Sequence, residues 1–137
     1  MRKLVYITLL SLVLLMLIGG AVACQSSPAS IPNEEVIRKY ADPATETILQ
    51  GLSENDLAKY TQYGNAEFKA AVTQEILDEA AAQINGQLGI YQSKVFLSIE
   101  EQDGYIIVHY QAKYTEDEVG VRMVFDNDHL VAGQWFE

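Results

Sequence analysis

The sequence has a single cysteine, Cys24, so no internal disulfide can form and a fold stapled by cystine bridges is excluded. Histidine is nearly as scarce: His109 and His129 are the only two, and no helical or hairpin spacing pairs them as zinc ligands. Neither a Gly-x-Ser-x-Gly nucleophile turn nor a glycine-rich phosphate loop is present. Basic residues are few, with 9 Lys and Arg against 19 Asp and Glu, a net charge of −10. That balance argues against nucleic acid and against flat adsorption on anionic lipid, because both need a basic surface.

The one long apolar run lies at the start. Arg2 and Lys3 precede an almost wholly apolar stretch from Leu4 to Ile18, and the small residues Gly19, Gly20, Ala21, Val22 and Ala23 lead into Cys24. A positive start, an apolar core and small residues before a cut form a secretory signal peptide. Leu4 to Ala23 also just reaches the roughly 20 residues of a membrane span, so an uncleaved anchor is the competing reading. The run Ala21-Val22-Ala23-Cys24 resembles a lipobox, departing from it at Ala21, where Leu is usual. The expectation is therefore cleavage before Cys24 and lipid attachment to its thiol, with acyl chains contributing about 0.8 kcal/mol per buried methylene. The chain divides into a signal peptide (1–23), a lipidated Cys with a Ser/Pro-rich tether (24–32) and a single domain (33–137). Cleavage removes Arg2 and Lys3, leaving 7 basic against 19 acidic residues and a net charge of −12. The expected location is the extracytoplasmic face of a cell membrane; Gln25 after the Cys carries no inner-membrane retention signal, so a two-membrane cell would allow transfer to the outer membrane.

Beyond the tether the apolar period is first helical and then alternating. Ile37, Ala41, Ala44, Ile48 and Leu52 form one stripe and predict a helix from Asn33 or Glu34, kinked at Pro43 and ended by Gly51. Ser53 is expected to cap a short second helix through Leu57 and Tyr60. Thr73 is expected to cap a third through Ile76, Leu77, Ala80 and Ile84, stopped by Gly86 and Gly89. Four strands follow. Val95, Leu97 and Ile99 share a face in the first; Ile106, Val108, Tyr110, Ala112 and Tyr114 in the second; Val119, Val121, Met123 and Phe125 in the third. In the last, Leu130, Ala132 and Phe136 face one way, with Val131 and Trp135 on the other. Turns are expected at Asp103-Gly104, Thr115 to Glu118 and Asp126 to Asp128. The fold class is α+β: N-terminal helices on a curved four-stranded antiparallel meander. The second sheet face, with Phe96, Ile107, Val124 and Trp135, is apolar enough to suggest a partner or a homodimer through the sheet.

Several stretches carry a resemblance. They are Tyr40-Ala41-Asp42-Pro43, Ile48 through Asp56, Leu88-Gly89-Ile90-Tyr91-Gln92-Ser93, and the ending from Val124-Phe125-Asp126 through Val131-Ala132-Gly133-Gln134-Trp135-Phe136. On these the chain resembles the bacterial family labelled domain of unknown function 3887, and its architecture is similar to the cone-shaped nuclear transport factor 2-like and cystatin-like group. The resemblance implies small exported lipoproteins, or domains fused ahead of hydrolases, and it assigns no activity and no catalytic residue.

Candidate chemistry is thin. Tyr60, Tyr63, Tyr91, Tyr110, Tyr114 and Trp135 could line a pocket between helices and sheet, with Arg122 as its cation and His109 as a base near neutrality. The bland alternatives are core aromatics, a cross-strand ion pair and a partly exposed sheet histidine. His129 reads as an exposed turn residue, and Asp126-Asn127-Asp128 is too short for a calcium loop. No cofactor or metal is expected. The expected function is a membrane-anchored, non-catalytic module that binds a small ligand or an envelope protein. The alternatives are a small enzyme using the cone pocket and an accessory domain of an envelope hydrolase.

Overall fold

The computed structural model describes residues 33–137, which fall in one compact unit. The expected signal peptide, Cys24 and the tether lie outside the described residues. The first helix, α1 (Glu34–Glu54), buries the stripe Ile37, Ala41, Ala44, Ile48 and Leu52, widened by Thr45 and Leu49. It runs through Pro43, as the continuous stripe predicts. Gly51 does not end it. The chain continues to Glu54, and Asn55 in the left-handed conformation (φ 56°) closes the helix. The Asn55 N–H donates to the Leu52 carbonyl at 3.2 Å and the Asp56 N–H to the Gly51 carbonyl at 2.8 Å, the paired bonds of a Schellman end. Gly51 is instead a point of close approach: a Cβ there would lie 2.5 Å from the Tyr60 backbone nitrogen.

This displaces the expected cap of the second helix. Ser53 sits within α1, and α2 (Leu57–Thr61) is capped by Asp56, whose carboxylate accepts from the Lys59 N–H at 3.0 Å. An unexpected helix follows, α3 (Ala66–Ala71), capped by Asn65, which accepts from the Phe68 N–H at 2.8 Å. Only Phe68 is buried in it, so its six residues carry no periodic stripe to read. Thr73 caps α4 (Gln74–Leu88) as expected, but Gly86 lies inside the helix and Gly89 (φ 83°) alone stops it.

Four strands, β1 (Tyr91–Gln102), β2 (Tyr105–Tyr114), β3 (Glu118–Phe125) and β4 (Val131–Phe136), form an antiparallel sheet in sequence order. Asp103 (φ 53°) and Gly104 (φ 83°) make the tight turn that their sequence predicts. β2 and β3 present the expected inner faces: Val108, Tyr110, Ala112, Tyr114, Val121, Met123 and Phe125 are all buried. The two edge strands depart from simple alternation. In β1 the register steps from Phe96 opposite Tyr110 to Ser98 opposite His109, leaving Leu97 as a bulge. The bulge reverses parity, so Lys94, Phe96 and Ile99 point inward, while Val95 (64% exposed) and Leu97 (55%) do not share the inner face. β1 has another register shift at Gln92, and in β4 a bulge at Ala132 puts Val131 in the core with Phe136 and leaves Leu130 exposed. The inward charge of Lys94 and the bulge at Leu97 are both devices that discourage pairing along a free edge.

The helices cover one sheet face. The main core lies between α1 and the sheet, and a smaller cluster of Leu52, Leu77 and Ala81 joins α1 to α4. The other face is uncovered among the described residues.

Candidate functional site

The aromatic residues singled out from the sequence do not form one pocket. Tyr91, Tyr110 and Tyr114 lie on the inner sheet face and are buried under the helices. Tyr110 donates its hydroxyl to Asp42 Oδ1 at 2.9 Å, while Asp42 Oδ2 takes the Arg38 guanidinium at 3.1 Å. Tyr91 donates to Glu46 Oε2 at 2.8 Å, and Lys94 approaches the same oxygen at 3.7 Å. Burial, reinforced by these carboxylates, pushes both phenols well above the ordinary tyrosine range. These contacts fasten α1 to β1 and β2; they close the centre of the cone rather than open it. Asp42 is thus a bridge from α1 to the sheet.

The open volume lies at one end, beneath α4, in a cleft of about 460 Å³. Its walls are Leu52, Ile84, Leu88, Val119 and Phe136. Four polar side chains line it: the exposed Gln83 and Gln87 of α4, and Tyr60 and Gln134. The half-buried Tyr60 donates its hydroxyl to Gln134 Oε1 at 2.9 Å, and desolvation pushes that phenol up to about 12. The other end of the same amide, Gln134 Nε2, is buried and has no hydrogen-bond partner among the described residues. The buried Tyr114 hydroxyl is likewise unpartnered, and its pKa is raised to about 12, first by desolvation and then by the neighbouring Tyr60. Tyr63 packs against the core from outside the cleft, and its carbonyl accepts from the Val131 N–H at 2.8 Å.

His109, Arg122 and Trp135 sit on the uncovered face, because their strand positions have opposite parity to Tyr110, Val121 and Phe136. His109 Nε2 lies 3.1 Å from Glu100 Oε1, and Nδ1 lies 3.4 Å from Glu137 Oε2. The histidine is therefore on the far side of the sheet from the cleft and cannot act as a base within it. Arg122 is stacked on Trp135, 5.4 Å from the ring centroid, and does not face the inner phenols. Trp135, near the end of the edge strand, borders both the cleft and a groove on the open face.

Gln134 is the residue that sequence reasoning passed over. It shares strand parity with Phe136, so a polar side chain at a core-facing position was the available signal. Among the described residues, no group of three or more His, Cys, Asp or Glu is placed to hold a metal ion, and no helix is long and apolar enough to cross a membrane.

The family described as Protein of unknown function (DUF3887) matches residues 45–133. A protein from Ruminococcus gnavus ATCC 29149, solved by NMR, superposes with a TM-score of 0.53 at 19% identity, covering 77% of this chain and 94% of that one. An NTF-2 like protein of unknown function from Burkholderia xenovorans LB400 gives a TM-score of 0.40 at 12% identity, over 74% of this chain and 86% of that one. The first of these likenesses is one of fold alone. No curated protein matches the chain.

Proposed function

The chain belongs to the family Protein of unknown function (DUF3887), and from that premise we propose that it is a non-catalytic, lipid-anchored module that binds a small, mainly apolar molecule in the cleft beneath α4. The observation that carries this reading is a cleft of about 460 Å³ with an apolar wall of Leu52, Ile84, Leu88, Val119 and Phe136, bordered by Gln134, whose buried Nε2 has no hydrogen-bond partner among the described residues. Small-molecule sites are typically apolar cavities of this size with one or two polar groups that set orientation. Leaving a buried donor unpaired costs about 1–3 kcal/mol, which a ligand acceptor such as a carbonyl oxygen would recover. Tyr60 holds the oxygen of the same amide and so restrains its rotation.

The anchor is the second half of the proposal. Cys24, at the end of an apolar segment and ahead of a Ser/Pro tether, would hold the domain clear of the bilayer on the extracytoplasmic face. The membrane is then a partner through lipid rather than through the acidic domain surface.

Both halves are tested on the full chain. Thermal unfolding is followed with medium-chain ketones and with alkanes of equal length. The ketone should raise the midpoint, as a ligand of the native state does, and the alkane should raise it less. Gln134→Leu should abolish the difference; because it removes the acceptor of the Tyr60 hydroxyl as well as an unpaired donor, each ligand's shift is read against that variant's own ligand-free midpoint. Equal shifts for ketone and alkane would sink the cleft reading. For the anchor, Cys24→Ser should move the protein out of the membrane fraction and stop incorporation of labelled palmitate; unchanged fractionation would refute lipid attachment.

A further inference from the structure

We propose that the open sheet face carries a second, independent site, which takes a small monocarboxylic acid with a flat or branched apolar body, held between Arg122 and Trp135. A groove of about 370 Å³ runs across β2, β3 and β4 on that face. Ile107 and Val124 form its floor, paired across the strands; Tyr105, Trp135 and Arg122 stand around it. Ile107 is only 3% exposed although no helix covers this side, so neighbouring side chains of the same face close over it. Trp135 is 50% exposed, and Gly133 leaves the room its ring occupies, since a Cβ there would run into the ring.

The charge pattern selects the ligand. Arg38, Lys39, Lys59 and Lys94 each have a carboxylate within 4.0 Å. Arg122 has none among the described residues, and residues 1–32 contain no Asp or Glu to supply one. Lys69 and Lys113 have none either, but both are exposed; among the described half-buried basic residues Arg38, Lys59, Lys94 and Arg122, Arg122 alone is without a carboxylate. Its cross-strand neighbour His109 takes the side chains of Glu100 and Glu137, while Asp103, on the same groove, forms no ion pair within 4.0 Å of the guanidinium. A guanidinium presents a planar fork that matches a carboxylate through two parallel hydrogen bonds, and that of Arg122 lies over the Trp135 ring, 5.4 Å from its centroid. Asp103 on the rim disfavours a second negative charge, which makes a monocarboxylate the better fit.

The test uses the fact that Trp135 is the only tryptophan, so its emission reports this groove in the full chain held in non-ionic detergent. Titration with 3-phenylpropionate should give a saturable change. The neutral amide of the same acid should bind at least about tenfold more weakly, because it cannot form the charge-assisted pair. Arg122→Gln should lose about tenfold or more for the acid and nothing for the amide, with Arg122→Lys retaining part of the acid binding. Trp135 also borders the cleft beneath α4, so Gln134→Leu is the control: it should leave the response to the acid unchanged. Acid and amide binding equally, an unaffected Arg122→Gln variant, or no saturable response would each overturn the proposal. So would an emission change that follows protein concentration alone and sediments as a dimer, which would mean that a second copy covers the face.

Discussion

The Tyr110 hydroxyl and Asp42 Oδ1 meet at 2.9 Å across 68 residues of sequence, joining the middle of the sheet to the outer part of α1. Asp42 is already held by Arg38 from the preceding helical turn. Tyr110→Phe is therefore expected to cost about 1 kcal/mol, the net worth of one hydrogen bond. Asp42→Ala should cost about 2–3 kcal/mol, because it leaves a buried phenol without an acceptor. The double variant should cost clearly less than the sum, with a coupling of at least about 0.5 kcal/mol. Urea unfolding of the four proteins decides it; strict additivity would mean that the contact contributes nothing.

How far the sequence foretells this fold depends on the element. The stripe from Ile37 to Leu52 predicts α1 through Pro43 because burial along a helix is periodic, whatever the local propensity. The inner faces of β2 and β3 follow from simple alternation. The edge strands do not, because a single bulge inverts every later side chain and leaves no mark in composition. Phe96 was expected on the outer face and points inward; Val131 was expected opposite Phe136 and shares its face. The site was less legible. Tyr60, Gln134 and Tyr114 come together only because α2 and the sheet end meet, a long-range docking that no local pattern encodes. The strand alternation places Arg122 and Trp135 on the outer face, where they lie; only the expectation of a pocket shared with the inner tyrosines puts them under the helices.

Gly51 and Gly86 are both helical glycines and should respond oppositely to alanine. In a helix interior, Gly→Ala normally gains about 0.5–1 kcal/mol. At Gly86 nothing lies within 4 Å of the added methyl, so that gain should appear in full. At Gly51 the methyl would meet the Tyr60 backbone nitrogen at 2.5 Å and its Cα at 2.8 Å, and backbone cannot rotate away. Gly51→Ala should cost about 2 kcal/mol or more and should disturb the Tyr60–Gln134 contact beside the cleft. Thermal unfolding of the two variants measures the contrast; a stabilised Gly51→Ala would show that α1 and α2 are not in close contact.

Buried and half-buried phenols, Tyr40 and four more strongly shifted ones, make stability fall at alkaline pH. Tyr60 and Tyr114 are pushed up to about 12, and Tyr91 and Tyr110 higher still. A group whose folded pKa is raised stabilises the fold fully below its unfolded value, which is near 10 for tyrosine. That contribution is lost as pH rises through the folded value, because the unfolded chain sheds the proton first. The urea midpoint should hold up to about pH 9 and decline from about pH 10 upward. Tyrosinate absorbance from these four residues should appear together with unfolding. Tyr91→Phe should shallow the decline, and a midpoint that is flat up to about pH 11 would contradict these burial effects.

The bulge at Leu97 separates two adjacent residues of similar hydrophobicity. Phe96 packs edge-on against Tyr110 at 6.1 Å between centroids, with the Arg38 guanidinium 4.5 Å over its ring. Leu97 is mostly in solvent on the free edge of the sheet. Phe96→Ala should cost about 2 kcal/mol, less than for a fully enclosed phenylalanine. Leu97→Ser should stay within about 0.5 kcal/mol. Deleting Leu97 is a different experiment, because the bulge is what lets Phe96 and Ile99 face inward together. Without it, a one-residue slip turns one of these two residues, and all that follow it on its side, to the opposite face. The deletion should therefore cost more than either substitution, although it removes an exposed side chain. Urea unfolding again measures it. A deletion as mild as Leu97→Ser would mean that β1 re-pairs without the bulge, and that the inward placement of Ile99 does not depend on it.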